Sequence, residues 1–272
     1  MLAAPPLAPT DCDMHDRRLP AIRGLEAIAA RSWPSRETVF DGTWAVRLCD
    51  HDTKRQNSIV PLDPYDAGDL DARIAAAQLR YLRAERRPTF RLTPLAHAAI
   101  DATLEARRWT PLDRTHVMTV DLAAMPNASP GETETCRHRW VDALARMNGV
   151  EPPRASGLAR TIERIERAAG PTNRSGPARL HILRQDDEPV AAALAVQLGR
   201  DVGLMEVFAR ADRRGQGLGR RVVTEAMTAA RLNGARRAWL QVAADNAPAV
   251  TLYRSMGFAT LYDYHYRVAP TS

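Results

Sequence analysis

Three glycines at alternate positions, 215, 217 and 219, fall where a β-rich run, Val202 to Ala209, gives way to a helical run from Gly217 to Asn233. Glycine lets a backbone approach a ligand with no Cβ in the way. The first amides of a helix have no internal acceptor and point outward, where the helix dipole favours an anion. Arg213, Arg214, Arg220 and Arg221 surround that opening with positive charge. Chemically, the segment is a pyrophosphate cradle. A P-loop would end in Gly-Lys-Ser/Thr, where this chain has Leu218-Gly219-Arg220. A dinucleotide fingerprint counted from Gly215 and Gly217 would need a glycine where the chain has Arg220. On spacing alone, the remaining alternative is a tight strand-to-helix turn with incidental glycines.

The periodicity predicts the surroundings of this loop. Strands are expected at 178–184, 190–198 and 202–209, with Asp186-Asp187-Glu188 turning between the first two. Beyond the loop come the helix at 217–233, a strand at 236–243, a helix at 247–256 and a strand at 258–268. Two helices, 133–147 and 156–169, precede them. The first half reads as a helix at 19–31, strands at 38–40, 44–48 and 57–60, and a helix at 69–86. A strand at 89–92 follows, then a helix from Thr93-Pro94 to about 107, with Thr93 as N-cap, and a strand at 115–122. The order of elements in the first half repeats much of the second. The expected organisation is a disordered leader at 1–18, one domain at 19–124, a linker at 125–132 and a second domain at 133–272. Each domain is expected to be an α/β (α+β) unit, a mixed, mostly antiparallel twisted sheet flanked by helices.

Two segments carry a family resemblance. Arg214-x-x-Gly217-x-Gly219 resembles the R/Q-x-x-G-x-G/A signature of the GNAT superfamily of acyl-CoA N-acyltransferases. Asn246-Ala-Pro-Ala-Val-Thr-Leu-Tyr-Arg-Ser-Met-Gly-Phe258 resembles that family's second signature, N-x-x-A-x-x-L-Y-x-x-x-G-F. The resemblance covers about 133–268 and implies acetyl-CoA as co-substrate with no metal. It implies that backbone groups around Val207, Phe208 and Ala209, on a splayed strand, bond the pantetheine arm as an added strand would. The segment Arg214, Gly215, Gln216, Gly217, Leu218, Gly219 and Arg220 would hold the pyrophosphate. Asn246 could touch the pantetheine or simply cap its helix. Tyr253 looks like the family's general acid, a phenol of ordinary pKa about 10 donating to the departing thiolate, and also bounds the cofactor site.

The implied reaction is direct attack of an amine on the thioester carbonyl, which needs no protein nucleophile. Glu206 is the carboxylate candidate for receiving the amine's proton through water, against a plain surface-charge role; His181 and His265 are weaker alternatives. The acceptor is read as a primary amine of a small molecule or amino acid. Acylation of a protein N-terminus or of aminoacyl-tRNA, or a non-catalytic acyl-CoA sensor, remain open beside it. The acceptor site would draw on 156–169 and part of the first half.

The first half resembles a degenerate copy, as in tandem GNAT proteins. Where its phosphate loop should lie, Pro61 to Asp69 carries three aspartates and one glycine, so it is not expected to bind CoA. Arg55-Gln-Asn-Ser58 and Trp44 are candidates to face the acceptor, against a structural role. Lys54 is the only lysine, and the arginines behind the net charge of +6 are spread along all 272 residues. That spread favours a solvated basic surface over nucleic-acid binding. Three scattered cysteines suggest neither disulfides nor a zinc knuckle and fit a reducing cytoplasm. No apolar run approaches the roughly 20 residues of a membrane span. A monomer or homodimer is expected.

Overall fold

The computed structural model describes residues 11–51, 53–125, 128–149, 152–168 and 177–271. Among them, eleven strands form one sheet in the order β1-β2-β3-β4-β11-β5-β10-β9-β8-β7-β6. In chain order, the first half gives α1 (Asp11–Ser32), β1 (Glu37–Asp41), β2 (Trp44–Leu48), β3 (Ile59–Pro61), α2 (Leu70–Arg83), β4 (Thr89–Leu92), α3 (Ala98–Ala106) and β5 (Thr110–Asp121). The second gives β6 (Thr133–Glu134), α4 (Arg137–Asn148), α5 (Pro152–Ala168), β7 (Ala178–Gln185), β8 (Glu188–Leu198) and β9 (Asp201–Ala209). It ends with α6 (Leu218–Leu232), β10 (Arg237–Ala243), α7 (Ala247–Ser255) and β11 (Ala259–Val268).

Local chemistry explains most boundaries. Asp186 and Asp187 both take positive φ, 51° and 63°, which suits the tight turn joining Gln185 to its partner Glu188. The stripe Leu218, Val222, Val223, Ala226, Met227 and Ala230 buries one face of α6 against the sheet. The helix α3 starts at Ala98 rather than at Pro94. Thr93 instead closes a turn, its carbonyl accepting from Ala96 N at 2.9 Å and its hydroxyl from Leu95 N at 3.2 Å, and His97 is the N-cap. The turn is favoured because it sinks Leu95 fully into the core. Thr133 and Glu134 form the short strand β6 against β7 rather than opening α4. The helix α1 starts at Asp11, inside the stretch expected as a leader; residues 1–10 lie outside the described residues, as do 126 and 127 of the expected linker.

The sheet has an internal symmetry with an exchange in it. Read from one edge, β1, β2, β3 and β4 are followed by β11 and then β5; read from the other, β7, β8, β9 and β10 are followed by β5 and then β11. The last strand of each half therefore inserts between the last two strands of the other. The pairs β3–β4 and β9–β10 are parallel in both halves. β5 pairs with β10 from Thr115 to Asp121 and with β11 along most of its 12 residues. Each exchanged strand saturates two edges that would otherwise be open.

Helices cover both faces. On one, α1 joins α4 and α5: Leu19, Ile22 and Leu25 pack in one cluster with Trp140, Ile162, Leu194 and Trp239. The opposite face of the second half carries α6, while Trp44, Ile74, Tyr81 and Phe90 form the separate core of the first. Glu26 on α1 grips Arg91 on β4 through two bonds of 2.6 and 2.9 Å, and the Tyr262 hydroxyl on β11 donates to the same carboxylate. Burial alone would push Glu26 up, but the charge and hydrogen bonds of Arg91 outweigh it and hold the carboxyl below its ordinary pKa.

Candidate functional site

β9 and β10 are paired only from Asp201 with Arg237 to Leu204 with Leu240, although they continue to Ala209 and Ala243. Past Leu204 the two strands part, leaving the inner edge of β9 without a strand neighbour. The bend has a local cause. Between the pairs Ala192–Phe208 and Leu194–Met205 the ladder with β8 slips by one residue, and Glu206 sits there with φ 47°. The slip also breaks the alternation of faces. Met205 and Phe208 pack toward α4 and α5, whereas Val207 and Ala209 pack toward α6. Arg210 N donates to Val190 O at 3.0 Å. By two-residue alternation the Phe208 amide faces β8 as well, so of the three candidates Val207 and Ala209 turn their backbone groups to the open edge.

The glycine loop closes the end of this slot. Gly215 and Gly217 have φ of 79° and 72°, where an L side chain is strained, and open space lies where their Cβ atoms would be. Gly219 serves a different purpose: a Cβ there would lie 3.3 Å from Leu252, so its absence lets α6 and α7 approach. Gly217 is the N-cap of α6 and supplies no capping side chain; the first intrahelical bond is Arg221 N to Gly217 O at 2.9 Å. The amides of Leu218, Gly219 and Arg220 are thus the helix's outward donors. Arg214 and Gln216 are exposed beside them, and Arg220 is tethered to Ser255 Oγ at 2.6 Å. Asn246 caps α7, its side chain accepting from Ala249 N at 3.2 Å.

Tyr253, on α7, joins the cluster of Val207, Ala209, Leu218 and Val222, with its ring edge-on to Phe258. Burial raises its pKa to about 12, so the phenol keeps its proton. Its hydroxyl has no hydrogen-bond partner among the described residues. Glu206 opens on the opposite face, into a cavity of ≈ 270 Å³ lined by Trp33, Arg55, Val141, Leu144, Arg154 and Leu158, among others. Arg55 donates from Nη2 to Glu206 Oε1 at 2.9 Å, and its guanidinium lies 4.8 Å above the Trp33 ring. A proton donor and a carboxylate therefore flank the slot from opposite faces of β9.

Other candidates fall elsewhere. His181 is fully buried in β7, where burial and then the charge of Arg179 lower its pKa to about 4. His265 pairs with Asp101 at 3.3 Å. Neither lines the cavity. Trp44 is sealed in the core of the first half under Arg73, and Gln56, Asn57 and Ser58 are buried as well, Gln56 donating to Pro34 O and to Thr161 on α5. In the segment 61–69, Asp66 accepts from Thr43 and from Arg73 at 2.7 Å, so an internal carboxylate takes the donors of that corner. Cys49, Asp50 and His51 come together, but Arg164 contacts all three and Arg160 also binds Asp50, placing cations where a metal would have to sit. Trp33 and Arg154 were not singled out by sequence; neither belongs to a motif, and only the packing of α1 and α5 brings them to Glu206.

A family model described as "Probable histone acetyltransferase Rv0428c C-terminal" matches residues 20–267. A protein of Bacillus subtilis (strain 168), described as "Uncharacterized N-acetyltransferase YobR", is 27% identical over 255 residues, covering 91% of this chain and 98% of that one. Among solved structures, a GCN5-related N-acetyltransferase from Kribbella flavida superposes with a TM-score of 0.68 at 19% identity, covering 93% of this chain and 95% of the other. A tandem GNAT protein from the clavulanic acid biosynthesis pathway gives 0.56 at 14% identity, with 98% of both chains covered. Two GNAT-like units in one chain is thus a fold shared with known acetyltransferases. No helix among the described residues is long and apolar enough to cross a membrane.

Proposed function

The chain belongs to the family described as probable histone acetyltransferase Rv0428c C-terminal, and is an acyl-CoA-dependent N-acetyltransferase of the GNAT kind; on that footing, we propose that it moves the acetyl group of acetyl-CoA to a primary amine of a small molecule or amino acid. The observation that carries the reading is the slot between β9 and β10, with the glycine loop at one end and Tyr253 and Glu206 on either face. The proposed division is a first domain at 19–124, a linker at 125–132 and a catalytic domain at 133–272.

In this mechanism the amides of Leu218 to Arg220 receive the pyrophosphate, helped by Arg214 and the α6 dipole. Val207 and Ala209 pair with the pantetheine as a strand would. The amine attacks the thioester carbon directly, and a β9 amide near Val207 stabilises the oxyanion. Glu206, held in place by the Arg55 hydrogen bond, takes the amine's proton, and Tyr253 gives its own to the sulfur as the tetrahedral adduct collapses. Thiol release from acetyl-CoA by purified protein over a panel of amines tests the reading. Release that no amine stimulates above plain hydrolysis refutes it.

A further inference from the structure

We propose that the acceptor is a free α-amino acid with an apolar side chain, its ammonium received by Glu206 and its carboxylate by Arg55 and Arg154. The proposal rests on reading the Glu206 cavity as the acceptor side of the acetyl-transfer site.

The Arg55–Glu206 pair uses only part of what each side chain offers. One guanidinium nitrogen, Nη2, meets one carboxylate oxygen, Oε1. A guanidinium carries five N–H donors and a carboxylate about four lone-pair sites. Oε2 of Glu206 can accept from an ammonium while the remaining N–H groups of Arg55 donate to an anion. A zwitterion whose two charges sit a few bonds apart is complementary to a protein ion pair whose charges lie 2.9 Å apart. The pair is also fixed in advance. Trp33, itself buried, holds the face of the guanidinium, and the bulge at Glu206 fixes the carboxylate's direction.

The balance of charge in the cavity points the same way. Its lining holds two arginines, Arg55 and Arg154, against the single carboxylate of Glu206. Arg154 makes no ion pair among the described residues. The fourth titratable lining group, His51, is held below its ordinary pKa by burial and by the charge of Arg164. A purely cationic amine would enter a site already in excess of positive charge. A bound carboxylate balances that excess, and the zwitterion as a whole adds no net charge. Beside these groups, Val141, Leu144 and Ala145 on α4 and Ala155 and Leu158 on α5 give the cavity an apolar lining, suited to an aliphatic side chain. Because Arg55 and Trp33 come from the first half of the chain, that half would act as the specificity element of the catalytic half.

The experiment compares leucine, leucinamide and 3-methylbutylamine as acceptors with the full chain and acetyl-CoA. They share an apolar body and an amine and differ in the carboxylate. A charge-assisted hydrogen bond is worth about 1.5–3 kcal/mol, so kcat/KM for leucine should exceed that for each of the other two by roughly 10–150-fold. Replacing Arg154 by Ala, or Arg55 by Met, should erase that preference by slowing leucine more than 3-methylbutylamine. A merely structural loss would slow both alike and would overturn the assignment. Equal or faster use of leucinamide also overturns it, and would favour a peptide N-terminus as acceptor. If no amine is acetylated, calorimetry with CoA present separates the two ideas. Leucine binding without turnover refutes the acetyl-transfer reading while keeping the pocket, and failure of leucine to bind refutes the pocket.

Discussion

Replacing Tyr253 by Phe removes a single oxygen from a buried ring. The ring packs edge-on against Phe258 at 5.8 Å, and that contact survives the change. The hydroxyl has no protein partner among the described residues, so its removal strands no buried donor or acceptor and should cost less than about 1 kcal/mol of stability. Activity should respond very differently. General acid catalysis typically contributes about 10²- to 10⁴-fold, or roughly 3–5 kcal/mol of barrier at 1.36 kcal/mol per decade. The raised pKa of about 12 fixes the pH behaviour. At pH 8 only about one phenol in ten thousand is ionised, so no falling limb from this group should appear in kcat until about pH 11. The assay is steady-state thiol release over pH 6 to 10, run beside thermal melting and CoA calorimetry. The expected result is a kcat loss of about 10² or more, at every pH, with melting temperature and CoA affinity unchanged. An acetyl thioester with a more acidic leaving thiol should shrink the loss, because its thiolate departs with less need of a proton. Unchanged kcat, or a loss that ignores the leaving thiol, would refute the acid role.

Gly217→Asp forces a side chain into a backbone with φ 72° and places a carboxylate at the N-terminus of α6, the end proposed to receive the pyrophosphate. CoA affinity should fall by at least about 100-fold in calorimetry, since strain and like charge act together. Glu26→Gln leaves Arg91 buried without its counter-charge and should destabilise the chain by about 3–5 kcal/mol in denaturant titration, whereas the paired change Glu26→Leu with Arg91→Met should cost far less. Glu26's folded pKa is depressed, so its contribution is present above the ordinary carboxylate range and is lost as pH falls through the folded value; the gap between wild type and Glu26→Gln should narrow in acid. Residues 133–272 expressed alone lack β4 and β5, leaving β10 short of one neighbour and β11 of both, and should not melt cooperatively until 19–124 is supplied.

Much of this protein could be read from local chemistry. The alternation of glycine through 215, 217 and 219, the Asp186-Asp187 turn and the stripe of α6 are short-range signals, each set by residues within a turn or two of one another. They gave most of the element order, the glycine loop ahead of α6 and the repeated architecture, and the acidic make-up of 61–69 was legible in the same way. The misreadings were also local. Thr93-Pro94 has the composition of a helix start, yet burying Leu95 favoured a turn. Position 206 carries no sequence mark of a left-handed backbone; the slip against β8 imposes it.

What the sequence could not decide was anything that depends on residues far apart in the chain meeting. The exchange of β5 and β11 follows from each half presenting open strand edges that only the other's last strand fills. The Arg55–Glu206 pair joins positions 151 residues apart. No pattern along a single chain encodes that separation, because the energy that selects it arises only once α1, α4 and α5 have closed over the same face of the sheet. The glycine loop and its helix were written in the sequence. The cavity that faces Glu206, and with it the chemistry of the acceptor, belongs to the tertiary structure.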